Sequence, residues 1–142
     1  MCSSDLRIPV GGSKIPYSSN EDIAEEDLFF KMDGRKVYEF TIKEIPACVK
    51  RLIEKAGIAP LDLDAIIFHQ ANIRIIDAVA KDCEIPREKF FVNIQKYGNT
   101  SSASVPLALD EAVRAGKIKA GDKVMMLGFG GGLSWGGVIL EW

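Results

Sequence analysis

The sequence is short of several things at once: it has one histidine, three cysteines and two tryptophans in 142 residues, and a net charge of only -2. Each shortage excludes something. Cys2, Cys48 and Cys83 are odd in number and have no CxxC spacing, which argues against a disulfide framework and a zinc site and for a reducing compartment. A near-neutral chain has no global basic field to draw in nucleic acid. No apolar run approaches the length of a membrane span, and the start lacks the basic-then-apolar pattern of a secretory signal. What is present is ordinary: 47% hydrophobic residues supply a core and 27% charged residues a wetted surface, as in soluble domains of this size. The expectation is a soluble, cytoplasmic α/β chain with no metal site, no nucleic-acid partner and no membrane partner.

The opening MCSSDL reads as foreign. The codons TGC TCT TCC GAT CT encode Cys-Ser-Ser-Asp-Leu and form the end of a common sequencing adapter. Residues 1–6 are therefore expected to be an assembly scar, with native sequence starting near Leu6 or Arg7. Residues 7–33 read as an irregular lead-in, given Pro9, Gly11-Gly12, Pro16 and the acidic cluster from Glu21 to Asp27. A free-standing domain rarely opens with so long an unstructured stretch, which hints at an absent partner half.

From Gly34 the chain becomes periodic. Val37, Ile42, Ile45, Val49, Leu52, Ile53 and Ala56 follow helical spacing. Gly57 stops the helix, and Pro46 is expected to kink or split it. Residues 64–68 form a short apolar strand, and a helix is expected over 71–83 with Ile73, Ile76 and Ala80 on one face and Arg74, Asp77 and Lys81 on another. A strand over 90–94 follows, then a helix over 103–115 closed by Gly116, with Pro106 in its first turn where proline is tolerated. Two strands, 123–127 and 137–141, are joined by GFGGGLSWG. The order α-β-α-β-α-β-β predicts an α/β domain over 34–142 with helices on a mostly buried sheet.

The residues with chemical potential have two readings each. His69 directly follows an apolar strand, where open α/β sheets bind ligands; a buried histidine bonded by backbone is the other reading. Asn99 lies in YGNTSS, where Gly-Asn is also ordinary turn chemistry. Gly130, Gly131 and Gly132 follow a strand but lack the lysine of a P-loop and do not precede a helix. They fit a tight β-turn-β at which backbone approaches something closely. Nucleophiles are poor: Cys48 lies in an apolar stripe, Cys83 is flanked by Asp82 and Glu84, no GxSxG elbow exists, and the serines of SSAS sit at a helix start where capping is their default role.

Taken together, HQANIRI (69–75), YGNTSSASVPLALDEA (97–112) and GFGGGLSWG (128–136) closely resemble three C-terminal signature stretches of the β-ketoacyl-acyl-carrier-protein synthase III family. His69 and Asn99, and Asn99 and Phe129, are each thirty residues apart, in the family's order. The resemblance implies the C-terminal half of a thiolase-like fold, a mixed five-stranded sheet packed between helices. In such a protein it would pair with an N-terminal half carrying the nucleophilic cysteine, and the whole would dimerise. The implied chemistry is decarboxylative condensation of an acyl-CoA with malonyl-acyl-carrier protein, with CoA and the carrier's phosphopantetheine as substrates and no cofactor. His69 and Asn99 match the catalytic donors, and Phe129 the loop phenylalanine beside the malonyl carboxylate. Gly131 lets that loop pass close to the thioester, and Asn72 matches a residue that bonds the pantetheine arm. Carrier-protein contact is implied for Gln70, Ala71, Asn72, Ile73, Arg74 and Lys81. Asp82 departs from the family pattern, which has a lysine there. Two alternatives stay open: a noncatalytic carrier-binding half-subunit, and a related condensing enzyme of polyketide or alkylquinolone type.

Overall fold

Helix α1 (Gly34–Ala56) begins where the Asp33 side chain accepts the Lys36 N–H at 3.1 Å. It ends at Gly57, whose φ of 66° closes a turn in which the Ile58 N–H returns to the Ile53 carbonyl. Pro46 neither splits the helix nor ends it. The carbonyl that loses its donor belongs to Ile42, on the exposed side of the helix, where solvent can reach it. The computed structural model describes residues 6–11, 13, 15–16 and 23–142, so residues 1–5 of the suspected foreign stretch lie outside the described residues.

The main sheet has four strands among the described residues, where five were expected: β3 (Ala65–Phe68), β4 (Phe90–Phe91), β5 (Lys123–Gly130) and β6 (Ser134–Glu141), in the order β4-β3-β5-β6. β3 runs parallel to β4 and β5, and β6 closes the sheet antiparallel to β5. All four β3 residues are buried, because both faces of the sheet are covered. Ile66 and Phe68, with Met125 and Leu127 beside them, pack against α1 and helix α2 (Ile73–Asp82). Ala65, Ile67 and Val124 meet Ala108 and Ala112 of helix α4 (Ser104–Arg114) on the other face. Each large side chain so buried contributes about 1.5–3 kcal/mol. The result is a three-layer α/β/α domain.

Four details differ from expectation. β4 stops at Phe91 because Asn93 leaves the extended region (ψ 12°) to start the one-turn helix α3 (Ile94–Tyr97). β5 and β6 run through GFG and SWG, with Gly128 opposite Gly136, so that only Gly131, Gly132 and Leu133 form the turn. Within α2 the buried residues are Ile75, Ile76, Val79 and Ala80, while Ile73 is exposed. The lead-in is not wholly irregular either: β1 (Leu6–Arg7) pairs antiparallel with β2 (Lys31–Met32), and residues 25–28 form a 3-10 turn.

Candidate active site

His69 emerges at the carboxyl end of β3, and its backbone N–H extends the β3–β5 ladder to the Leu127 carbonyl at 2.9 Å. The ring is half-buried and packs edge-on against Phe129 of β5, with centroids 5.1 Å apart and planes at 78°. Nδ1 lies 2.5 Å from the Ser104 hydroxyl, and Nε2 has no protein partner among the described residues. Burial lowers the imidazole pKa below its ordinary value, so the ring is neutral at neutral pH.

Asn99 reaches the same place from the turn before α4. Its Oδ1 accepts the Ser101 N–H at 2.9 Å. A backbone N–H can bond only the carbonyl end of the carboxamide, so this contact fixes the amide's orientation and leaves the NH2 group free to donate. Ser101 itself sits at φ 54°, a left-handed conformation uncommon outside glycine, immediately beside the donor.

His69, Asn99, Phe129 and Gly131 line one cleft of about 890 Å³, together with Ala71, Ser101, Val105, Gly128 and Gly130. Ser102 also lines it, and a further wall comes from Phe30, Met32 and Val37. Val37 belongs to the periodic stripe of α1, but Phe30 and Met32 do not stand out in sequence, because a lead-in rich in turn residues gives no periodic signal. The cleft lies where β3 and β5 end and α4 begins, the position at which α/β sheets bind ligands. At Gly132, φ is 140° and an added Cβ would fall 2.8 Å from Ser134 Oγ, so the turn below the cleft tolerates no side chain.

The other expected site residues divide. Asn72 caps α2 by accepting the Arg74 N–H at 2.9 Å, which leaves its amide NH2 directed away from the helix end. Arg74 and Lys81 are exposed and make no ion pair among the described residues, whereas Asp77 is engaged by Arg87 at 2.6 Å. Asp82, the departure from the family pattern, is engaged by Lys50 of α1 at 2.8 Å. Ala71 is half-buried in the cleft wall and Ile73 stands in the open. Gln70 does not join the surface group. It is 1% exposed, and its side chain bonds the carbonyls of Phe68 and Phe91 and the N–H of Asn93. A residue so enclosed holds the ends of β3 and β4 together and offers nothing to a protein docking from outside.

The position of Ser104 at a helix start predicts a capping role, yet α4 has Ala103 at its N-cap and no side-chain cap bond. The hydroxyl is spent on His69 instead. Neither described cysteine is suited to nucleophilic attack: burial raises the pKa of the Cys48 thiol, and that of Cys83 to about 11. Among the described residues no group of three His, Cys, Asp or Glu side chains is placed to hold a metal ion, and no helix is long and apolar enough to cross a membrane.

Comparison with known proteins identifies the family and the fold. The family described as 3-oxoacyl-[acyl-carrier-protein] synthase III, C terminal, matches residues 53–142. The β-ketoacyl-acyl-carrier-protein synthase III of Rhodopirellula baltica is 46% identical over 138 residues, covering 96% of this chain and 39% of its own length. The crystal structure of the Thermus thermophilus synthase III superposes with a TM-score of 0.85 at 38% identity, over 99% of this chain and 42% of that one. A priming β-ketosynthase of the R1128 polyketide pathway gives a TM-score of 0.81 at 33% identity, over 96% and 41%. The chain thus spans about two-fifths of the length of these relatives. It belongs to the family of 3-oxoacyl-acyl-carrier-protein synthase III C-terminal domains and has their thiolase-like fold.

Proposed function

We propose that this chain supplies the oxyanion-binding side of a decarboxylative condensing site that starts fatty-acid synthesis. A partner N-terminal half supplies the acylated cysteine. Malonyl-acyl-carrier protein loses carbon dioxide, and the electrons of the broken C–C bond move onto the thioester oxygen as an enolate. The enolate carbon then attacks the acyl group delivered from acyl-CoA, acetyl-CoA above all, and the cysteine leaves as thiolate. The enolate oxygen needs donors already in place when charge develops. His69 Nε2–H and Asn99 Nδ2–H suit it because both are neutral, so neither stabilises the ground-state malonyl carboxylate as a fixed cation would. Phe129 gives that carboxylate an apolar neighbour, which favours its loss as neutral carbon dioxide. The observation that carries the reading is that His69, Asn99 and Phe129, far apart in sequence, line one cleft with both donor groups unspent.

On this reading Arg74 and Lys81 meet the acidic carrier protein, the complete enzyme is a cytoplasmic homodimer, and this chain alone makes no product. The test is to combine it with the cysteine-bearing half of a relative and measure malonyl-dependent 3-ketoacyl product. His69→Ala should lower turnover about 10²–10³-fold; equal turnover in that variant would refute the role. A second reading, a noncatalytic carrier-binding half-subunit, draws on the exposed Arg74 and Lys81, which make no ion pair among the described residues. It predicts saturable binding of carrier protein by this chain and no product in any combination. The likeness to a priming ketosynthase leaves a polyketide-type or alkylquinolone-type substrate to the same assay, run with different primers.

A further inference from the structure

We propose that Ser104 is a positioning residue that holds His69 in the tautomer with the proton on Nε2, so that the nitrogen left to the cleft is a donor. Its catalytic consequence rests on the reading of His69 as an oxyanion donor; the tautomer itself does not.

Ser104 is the first residue of α4 and is 2% exposed. Its hydroxyl oxygen accepts the Gln70 backbone N–H at 3.2 Å and lies 2.5 Å from His69 Nδ1. A hydroxyl has one proton to give and two lone pairs to fill. The Gln70 N–H can only donate, so it takes one lone pair. Among the described residues Ser104 Oγ has no hydrogen-bond partner besides these two, so His69 Nδ1 is the acceptor left to the hydroxyl proton. If Nδ1 carried a hydrogen, Ser104 would accept twice and its own proton would be buried without a partner. That penalty disfavours the Nδ1–H form by on the order of tenfold to a hundredfold.

The direction of the Gln70 N–H is itself fixed. The Gln70 side chain donates to the Phe68 carbonyl at 2.8 Å and to the Phe91 carbonyl at 3.4 Å, and accepts the Asn93 N–H at 3.2 Å. Asn93 in turn donates to Glu111 of α4 at 2.9 Å, and Glu111 pairs with Lys96. The helix carrying Ser104 is therefore tied at two points to the strand ends that carry His69. Phe129, edge-on to the ring, opposes rotation of the imidazole away from Ser104. Ordinary capping requires none of this, and α4 does without a side-chain cap.

The experiment exploits the single histidine of the sequence. In the chain labelled with ¹⁵N-imidazole histidine, two-bond ¹H–¹⁵N correlation at neutral pH reads His69 alone. The expected pattern is protonated Nε2 and unprotonated Nδ1, with the Nδ1 resonance displaced by an accepted hydrogen bond. Ser104→Ala should remove that displacement and raise the Nδ1–H population toward the mixture of a free imidazole, while Ser104→Thr, which keeps the hydroxyl, should restore the native pattern. A wild-type spectrum with protonated Nδ1, or an Nδ1 resonance unmoved by Ser104→Ala, overturns the proposal. If the tautomer is as stated and His69→Ala leaves condensation unchanged in the two-half enzyme, the functional reading fails and this one stands.

Discussion

Asn99→Asp separates the fold of this site from its chemistry. The substituted carboxylate keeps an oxygen for the Ser101 N–H, now accepted at 2.9 Å, so the turn that holds Ser101 at φ 54° survives. Stability should change by no more than about 0.5 kcal/mol, the usual range for a surface substitution, or roughly 2 °C in Tm. The other end of the side chain is inverted, because the free NH2 donor becomes an oxygen that can only accept. Loss of one oxyanion donor removes about 2.7–4 kcal/mol of transition-state stabilisation. A carboxylate about 4 Å from the enolate adds repulsion of up to roughly 4 kcal/mol at an effective dielectric of 20. Asn99→Ala loses the donor without adding charge, but also leaves the Ser101 N–H without its acceptor, at about 0.5–1.5 kcal/mol. The two variants should therefore rank oppositely: Asp the more stable, Ala the more active. Thermal unfolding of each chain gives the first order, and carbon dioxide release from a malonyl thioester with the cysteine-bearing half present gives the second. Turnover of the Asp variant within tenfold of wild type, or activities that simply follow Tm, would refute the reasoning.

Three further outcomes follow from the packing and charge of the chain. At Gly137 an added Cβ would lie 2.7 Å from Leu52 Cδ1 and 2.8 Å from the Met126 carbonyl oxygen; Gly137→Ala should lower stability by about 1–3 kcal/mol, and adding Leu52→Ala should relieve only the side-chain part, as read by urea unfolding through Trp135. The buried Cys83 thiol titrates near pH 11 when folded against 9.0 ordinarily, so the unfolded chain sheds its proton first and stability, full below about pH 9, falls by up to about 3 kcal/mol as pH rises to 11; Cys83→Ala should flatten that alkaline limb, and native Cys83 should resist alkylation at pH 8. Reversing both Arg74 and Lys81 to Glu should weaken binding of an acidic carrier protein at least tenfold at low salt, far less at high salt, with Tm unchanged, in a titration followed by fluorescence anisotropy.

Much of this domain could be read from residues in order. The run AIIF is a buried strand because nothing polar interrupts it, and Gly57 and Gly116 end their helices because each supplies a positive φ, as both do at 66°. The cleft's polar members were legible through three motifs at matching spacing, and the structure does bring His69, Asn99 and Phe129 together. What residue order does not show is the surroundings that the fold gives each residue, whether strand partner, solvent or a distant segment. The glycines of GFG and SWG look like strand breakers until Gly128 is paired with Gly136. Pro46 looks like a helix breaker until Ile42 proves to face solvent. Gln70 looks like a surface residue within HQANIRI until the ends of β3 and β4 close around it. Ser104 looks like a cap, and Phe30 and Met32 look like loop, until the chain folds them against His69 and the cleft.

The central claim concerns where one oxygen atom sits. The most direct measurement is a crystal structure of this chain assembled with a cysteine-bearing half and a malonyl-thioester analogue that cannot lose its carboxylate. The account predicts the thioester oxygen at about 2.7–3.1 Å from both His69 Nε2 and Asn99 Nδ2, with the carboxylate against Phe129. A thioester oxygen bonded elsewhere, with His69 and Asn99 facing only solvent or protein, would contradict it.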